Sequence, residues 1–345
     1  MSGHVVITGG SAGVGRAAAS AFAAKGWRVT ILARETRRLA AAAAQVEKEG
    51  GAALSVPTDV ADPDAVEAAA SKAEQAHGEI DVWVNSAMVT VYSQIWDITA
   101  EEFRRVNDVT YLGQVYGTMS ALRRMRPRNR GTIVNVSSAL AYHGLPLQAA
   151  YCGAKFAARG FTESLRGELL HDGSNVRVTL VVLPAVNTPQ FDWARNKLPH
   201  RPRPVPPVYQ PEAAADAILR AAETAPRELV LGRSSLQLVA GSMAAPGIVD
   251  QVLAAQGPGG QQSPEPAQMR ADNLFEPAPG DFASHGRFDD EALPAGGSIA
   301  LGAVRGASAA IGTALLAALA FAAYTIGRRR NDRLRDIDMR IDHDQ

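Results

Sequence analysis

A tyrosine and a lysine four residues apart, Tyr151 and Lys155, form the most specific chemical pattern in this sequence. Residues four apart on a helix share a face, so we expect the Lys155 ammonium beside the Tyr151 hydroxyl. A free tyrosine, with a pKa of about 10, exchanges protons slowly at pH 7, and a cation in a dry cleft lowers that pKa. Ser138 follows a predicted strand, from which its hydroxyl can hydrogen-bond the same substrate oxygen. The three residues predict acid-base chemistry at a substrate oxygen.

A glycine-rich turn, TGGSAGVG at residues 8–15, directly follows the first predicted strand and opens the first predicted helix. Glycines at such a turn let the backbone approach a pyrophosphate, whose charge the helix N-terminus stabilises. A tight turn with only a structural role is the alternative, and the strand-to-helix context disfavours it. The candidate cofactor contacts here are Thr8, Gly9, Ser11, Gly13, Val14 and Gly15.

The residue after the second strand of a dinucleotide fold selects the cofactor, because an acid binds a ribose 2′-OH and a base accommodates a 2′-phosphate. Arg34 stands at this position, which favours NADP over NAD. Two observations keep NAD open as the cofactor: Arg34 could be a solvated surface residue, and the acidic Glu35 follows it. Asp59 and Val60 follow the third strand and are placed to flank the adenine, although an aspartate there could instead cap a turn.

Short β-branched runs alternate with Ala-rich stretches from residue 4 to about 184, which predicts an α/β fold with a doubly wound parallel sheet of the Rossmann type. Beyond Pro184 the prolines predict a loop over the crevice at 187–211. The predicted strands are 4–8, 28–32, 53–56, 80–84, 131–136, 176–182 and 228–232, and the predicted helices are 14–25, 36–49, 64–77, 101–125, 150–171 and 212–224.

Over about residues 1–235, the sequence resembles the short-chain dehydrogenase/reductases of the single-domain type. The resemblance rests on the order and spacing of the glycine-rich turn, Asp59-Val60, Ser138 and the Tyr151/Lys155 pair. The resemblance implies that Tyr151 is the general acid/base and that Lys155 binds the nicotinamide ribose while tuning it. It further implies that Ser138 orients the carbonyl and that Thr188 contacts the carboxamide. Dimers or tetramers built on helices 101–125 and 150–171 are also implied.

Three positions depart from the family pattern. Asn-Asn-Ala-Gly after the fourth strand becomes Asn85-Ser86-Ala87-Met88, which leaves Asn85 and Ala87 as cofactor contacts beside a bulky methionine. The helix asparagine of the catalytic tetrad falls on Thr110, with Asn107 one turn earlier as a substitute of the wrong spacing. Pro-Gly after the sixth strand is Pro184-Ala185, a minor change that keeps Pro184 at the cofactor. These departures put the proton relay in question more than the hydride transfer.

The combined pattern predicts an NADP-preferring oxidoreductase that transfers a hydride between nicotinamide and a carbonyl or alcohol, with a lipophilic substrate favoured. NAD is the alternative cofactor. A dinucleotide-binding sensor or scaffold without turnover, and an epimerase or dehydratase on the same fold, are the competing functions.

Composition excludes other classes. The chain has 35 basic residues (Lys and Arg) and 35 acidic residues (Asp and Glu), so it lacks the excess positive charge that nucleic-acid binding needs. The single cysteine, Cys152, cannot form an internal disulfide or a cysteine-based metal site, and no metal-ligand cluster is present. The N-terminus has no signal-peptide pattern, so we expect a cytoplasmic location.

Changes in composition and periodicity divide the chain into four segments: a catalytic domain at 1–255, a linker or surface-draped segment at 256–298, an apolar helix at 299–327 and a charged tail at 328–345. Residues 306–327 are uncharged and would span about 33 Å as a helix, enough for a hydrocarbon core of about 30 Å. Either this helix and the arginines up to 335 contact a membrane surface, or it is an ordinary packing helix.

Overall fold

The computed structural model describes residues 3–302, and its centre is an eight-stranded sheet. The sheet order is β15-β12-β7-β6-β4-β1-β2-β3, and the seven strands from β12 to β3 pair in parallel. The described strands are β1 (His4–Thr8), β2 (Arg28–Ala33), β3 (Ala52–Pro57), β4 (Val82–Asn85), β5 (Val91–Tyr92), β6 (Thr132–Ser138), β7 (Arg177–Leu183), β8 (Ala185–Val186), β9 (Arg195–Asn196), β10 (His200–Pro202), β11 (Val208–Tyr209), β12 (Glu228–Leu231), β13 (Gln262–Pro266), β14 (Ala292–Leu293) and β15 (Ser298–Ala300).

Helices connect the sheet strands as crossovers. The described α-helices are α1 (Gly13–Ala23), α2 (Thr36–Lys48), α3 (Pro63–His77), α4 (Ala100–Asn107), α5 (Gly113–Met125), α6 (Ala149–His171), α7 (Gln190–Trp193), α8 (Pro211–Thr224), α9 (Arg233–Ala244) and α10 (Pro246–Gly260). A π-helical turn at Asp108–Leu112 joins α4 to α5, and a 3₁₀ turn at Ala139–Ala141 follows β6. The expected doubly wound α/β fold is confirmed.

Local sequence explains these elements. The β1 side chains are all buried, as expected for a central strand covered on both faces. Glu35 accepts hydrogen bonds from two backbone N–H groups at the start of α2, and Asp62 does the same for α3. Thr99 and Glu102 form a capping box that starts α4.

The strand order reverses at β1, which lies between β2 and β4. In an open parallel sheet, the crevice at the carboxyl ends of the strands beside such a reversal is the ligand site. This topology brings the glycine-rich turn after β1, Arg34 after β2 and Ala87 after β4 to one edge.

The C-terminal half departs most from expectation. The loop expected at 187–211 contains α7 and three short strands, and α9 and α10 follow β12 without having been predicted. Residues 256–298 do not behave as a linker, because everything up to Ile299 forms one compact unit with Leu274 and Phe288 buried in it. The surface-draped alternative describes them better. A second unit begins at Ala300.

No helix within residues 3–302 is long and apolar enough to cross a membrane. From residue 303 onward, the apolar helix expected at 299–327 lies outside the described residues, and so does the charged tail expected at 328–345.

Candidate active site

Three side chains meet at the carboxyl end of β6. Ser138 is the last residue of β6, and Tyr151 and Lys155 occupy successive turns of α6. The Tyr151 hydroxyl hydrogen-bonds Ser138. Lys155 is 4% exposed, its Nζ donates to the carbonyl of Val136 at 2.8 Å, and it lies 5.7 Å from the centre of the Tyr151 ring. The predicted catalytic residues are therefore assembled in one place.

Burial dominates the protonation of this group. It raises the pKa of Tyr151 above its ordinary value, and the hydrogen bond with Ser138 opposes part of that rise. Burial also lowers the pKa of Lys155 to about 8. This direction is opposite to the lowering expected from the sequence, because burial of the Tyr151 hydroxyl disfavours the charged phenolate.

A cavity of about 180 Å³ follows the carboxyl ends of β1, β2 and β4. The N-terminus of α1 opens onto it, and Ala12 at the N-cap provides no side-chain cap. Gly13 N donates to Ala283 O, so the N–H groups of Val14 and Gly15 are the ones that can meet a pyrophosphate. The predicted contacts that line it are Gly9, Ser11, Gly13, Val14, Gly15, Arg34, Asp59, Val60, Ala87 and Thr188. These residues fit a dinucleotide.

The glycines of the turn permit close backbone packing. A Cβ on Gly15 would lie 2.4 Å from the carbonyl oxygen of Gly9, and a Cβ on Gly9 would lie 2.7 Å from the Cα of Ala87. Both distances are too short for a Cβ beside backbone atoms, so a side chain at either position would force the turn to shift. The turn is therefore restricted to glycine at both positions, whatever it binds.

Two predicted cofactor contacts, Thr8 and Asn85, line neither this cavity nor the one around Tyr151, Lys155 and Pro184. The Thr8 hydroxyl accepts from the backbone N–H groups of Ser86 and Ala87 at 3.0 and 3.2 Å, so it positions the loop after β4. The amide of Asn85 is buried and donates to Thr118 and Asn135. Both residues support the cofactor loops from inside the fold.

Asp59 is held by its neighbours. Its carboxylate accepts from Ala61 N at 3.0 Å and from Arg105 Nη2 at 2.6 Å. Burial alone would raise the pKa of Asp59, but these two hydrogen bonds keep it below the ordinary value. The carboxylate is thus charged and fixed at the adenine end of the cavity.

Arg34 lines the cavity, together with Arg38, which the sequence analysis missed although it lies one helical turn further on. Arg34 donates to the carbonyls of Asn273 and Phe275, each at 2.5 Å. Arg38 is buried, and its Nε has no hydrogen-bond partner among residues 3–302. Glu35 also lines the cavity, and its carboxylate caps α2 by accepting from Arg37 N and Arg38 N.

A second cavity, of about 350 Å³, contains the catalytic group and Pro184. It shares Val14, Ser86, Met88, Thr188 and Gln190 with the first cavity, so the two are adjacent. Most of its wall is aliphatic or aromatic, with Leu140, Leu145, Leu183, Phe191, Leu238 and Leu253 among the lining residues. The sequence analysis predicted none of these wall residues.

Known proteins resemble this chain in sequence and fold. The family model of the short chain dehydrogenases matches residues 3–198, more than half of the chain. An uncharacterized oxidoreductase of Bacillus subtilis, YxnA, is 34% identical over 251 residues, which cover 72% of this chain and 70% of the relative. The 3-dehydrosphinganine reductase of Danio rerio is 32% identical over 225 residues, covering 63% and 67%.

This chain belongs to the short-chain dehydrogenase family. It is an NAD(P)-dependent oxidoreductase that acts on a CH-OH or C=O group of a small-molecule substrate. The fold also matches an alcohol dehydrogenase of the archaeon Thermococcus sibiricus complexed with 5-hydroxy-NADP, with a TM-score of 0.58 and 24% identity over 67% of this chain and 96% of that one.

Thr110, the residue that the family resemblance aligns with the tetrad asparagine, lies in the π-helical turn. Its hydroxyl donates to the carbonyl of Val89 at 2.9 Å and accepts from the N–H of the same residue at 3.1 Å. The Asn107 amide instead donates to Phe103 on its own helix at 2.9 Å. Thr110, and not Asn107, therefore ties α5 to the loop after β4.

A segment beyond the matched family region runs along the cofactor cavity, and we call residues 272–289 the strap. Its Asn273 and Pro277 line the cavity, and Ala283 O accepts from Gly13 N at 2.9 Å. At the nicotinamide end, Asn187 Oδ1 accepts from Phe288 N at 3.0 Å. The strap thus contacts the adenine, pyrophosphate and nicotinamide portions of the predicted site, which no local sequence signal indicated.

Proposed function

We propose that this protein is an NADP-preferring oxidoreductase for lipophilic carbonyl or alcohol substrates. The observation that carries the proposal is that a cavity that fits a dinucleotide shares a wall with a cavity that contains Ser138, Tyr151 and Lys155. A substrate oxygen beside Tyr151 is then next to the nicotinamide end of the cofactor cavity, at Thr188.

The catalytic side chains divide the chemistry. A bound nicotinamide cofactor supplies or accepts the hydride. The hydroxyls of Ser138 and Tyr151 hydrogen-bond the substrate oxygen, and Tyr151 donates its proton when a carbonyl is reduced or accepts one when an alcohol is oxidised. The Lys155 ammonium stabilises the phenolate, and Val136 O holds it in position.

The preference for NADP rests on two arginines. Arg34 and Arg38 both line the adenosine end of the cofactor cavity, and the buried Arg38 Nε, 3.8 Å from the Glu35 carboxylate, has no hydrogen-bond partner within residues 3–302. A 2′-phosphate at this end would give that donor a charge-assisted hydrogen bond. NAD offers only a hydroxyl there.

The lipophilic substrate class rests on the cavity wall. Leucine, valine and phenylalanine side chains enclose a volume of about 350 Å³, within the usual size of a small-molecule site. The relative from Danio rerio is named for the reduction of 3-dehydrosphinganine, which supports a lipid-like substrate.

Turnover of a panel of ketones by the purified full-length protein, measured with NADPH and with NADH, tests the proposal. We expect reduction of medium-chain ketones with NADPH as the better cofactor. Equal rates with both cofactors would contradict the preference. Absence of turnover with every ketone and every corresponding alcohol would reject the proposed substrate class.

A further inference from the structure

The substrate cavity contains polar groups that the hydride-transfer chemistry does not use. Arg203 and Ser235 both line it, and neither belongs to the catalytic group. Arg203 Nε and Ser235 Oγ are buried without a hydrogen-bond partner among residues 3–302. A buried donor without a partner costs about 1–3 kcal/mol, so a ligand group that satisfies it is favoured.

Charge in this cavity has one sign. Among the described residues that line it, Lys155 and Arg203 are cationic and there is no aspartate or glutamate. Lys155 serves the catalytic tyrosine, which leaves Arg203 as the cation that the hydride-transfer chemistry does not use. Outside the lining, Glu291 forms an ion pair with one Nη of Arg203; this carboxylate is 46% exposed and holds the guanidinium in place.

The N-terminus of α9 adds further donors to the same wall. Gly232 at its N-cap has no side chain to cap the first turn, and Ser234 and Ser235 of that turn line the cavity. α9 has 12 residues, long enough for its N-terminal N–H groups to favour an anion. Ser235 is 1% exposed, so solvent does not supply the missing hydrogen-bond partner of its hydroxyl.

We infer that Arg203, Ser234 and Ser235 form an anion-binding subsite, and that the substrate is a lipophilic carbonyl or alcohol compound with a carboxylate or phosphate group. Assignment of the cavity to substrate rests on the proposed function. The subsite disfavours a substrate with an ammonium group, because the cavity lining has two cations and no acid to pair with it. It therefore separates the substrate from amino ketones, including the 3-dehydrosphinganine for which the Danio rerio relative is named.

Binding of four octyl compounds to the full-length protein with NADP⁺ present tests this subsite without requiring turnover. Octanoate and octyl phosphate are the anionic probes, 1-octanol is the neutral reference and octylamine is the cationic one. We expect an anionic probe to bind about 10- to 100-fold more tightly than octanol, the range for a charge-assisted hydrogen bond, and octylamine to bind weakest. The stronger of the two anionic probes identifies the group as carboxylate or phosphate.

Matched variants locate the effect. Arg203→Met should collapse the ratio of octanoate to octanol affinity, whereas Arg201→Met should preserve it, because Arg201 is about equally exposed but pairs with Asp192 and Glu265 away from the cavity. Ser235→Ala should reduce the ratio about threefold or more. Ser242→Ala, on the same helix and bonded to Leu238 O, is its control.

Two results would overturn the subsite: octanol or octylamine binding as tightly as both anions, or an anion preference that survives Arg203→Met. The second result would assign the preference to Lys155. Arg203-dependent binding of octanoate together with no reduction of any ketone would instead reject the proposed function while retaining the subsite.

Discussion

The two cavities of this protein are built from different kinds of contact. The cofactor cavity is shaped by backbone, where the glycines after β1 pack against Ala87 and against each other at distances that exclude any side chain. The substrate cavity is shaped by side chains from the region after Pro184 and from α9 and α10. The first therefore tolerates little change, and the second can be altered by single substitutions without loss of the fold.

Removing the transferable proton should have the largest effect. Tyr151→Phe is expected to lower turnover by about 100- to 10,000-fold, since it deletes the general acid, while cofactor affinity stays nearly unchanged. Steady-state kinetics and cofactor titration measure the two quantities. Tyr92→Phe is the control, because this buried tyrosine lines the same cavity but its hydroxyl contacts Gln190. More than about a tenth of the activity in Tyr151→Phe would refute the mechanism.

The backbone character of the cofactor cavity is tested by adding one methyl group. Gly15→Ala places a Cβ 2.4 Å from Gly9 O, so we expect cofactor affinity to fall by about 100-fold or the turn to unfold locally. Gly160→Ala is the control, as a Cβ there meets no atom within 4 Å. Cofactor titration with circular dichroism as a check on folding distinguishes the outcomes. Equal cofactor affinity in both variants would mean that the turn does not bind the pyrophosphate.

The ratio of NADPH to NADH affinity tests whether Arg34 contacts the 2′-phosphate of NADP. Arg34→Asp should weaken NADPH by about 10- to 100-fold and favour NADH, since a charge-assisted contact becomes repulsion. Arg37→Asp makes the same charge change at a side chain that is 89% exposed, and should leave the preference unchanged. If NADPH affinity is equal in the Arg34 variant and the native protein, Arg34 has only a structural role.

The pH profile of kcat/KM for the cofactor should report the lowered pKa of Lys155. Because burial brings this pKa to about 8, the ammonium is lost as pH rises past that value, and kcat/KM should fall about tenfold per pH unit above it. Lys155→Arg keeps a permanent positive charge, so the kcat/KM of any residual activity should not fall as the pH rises past about 8. A native profile that stays flat to pH 10 would contradict the prediction.

The smallest effect is expected at the strap. Gly286→Ala would place a Cβ 2.4 Å from Thr188 O, so the strap should shift and cofactor dissociation should accelerate about threefold. Gly297→Ala, where a Cβ meets nothing within 4 Å, is the control. Stopped-flow release of NADPH measures the rate. Identical release rates in both variants would show that the strap does not retain the cofactor.

Sequence patterns predicted the sheet strands and the helices between them because each has a strong period and a clear boundary signal. Predicted strand 4–8 coincides with β1, and predicted helix 150–171 differs from α6 by one residue. The helix expected at 101–125 is interrupted by the π-helical turn, since the hydrogen bonds between Thr110 and Val89 are tertiary. α9 and α10 escaped prediction because neither presents a marked apolar face.

The sequence by itself determined the cofactor turn and the group of Ser138, Tyr151 and Lys155, because backbone packing and fixed helical spacing are local constraints. Only the tertiary structure decided that Asn85 and Thr8 lie inside the fold and that Arg38 lines the same cavity as Arg34. It likewise decided that Asn273 and Pro277 of the strap line this cavity and that Arg203 shares a cavity with Tyr151. These relations join residues tens to hundreds of positions apart, and their contacts depend on chain packing that no local period encodes.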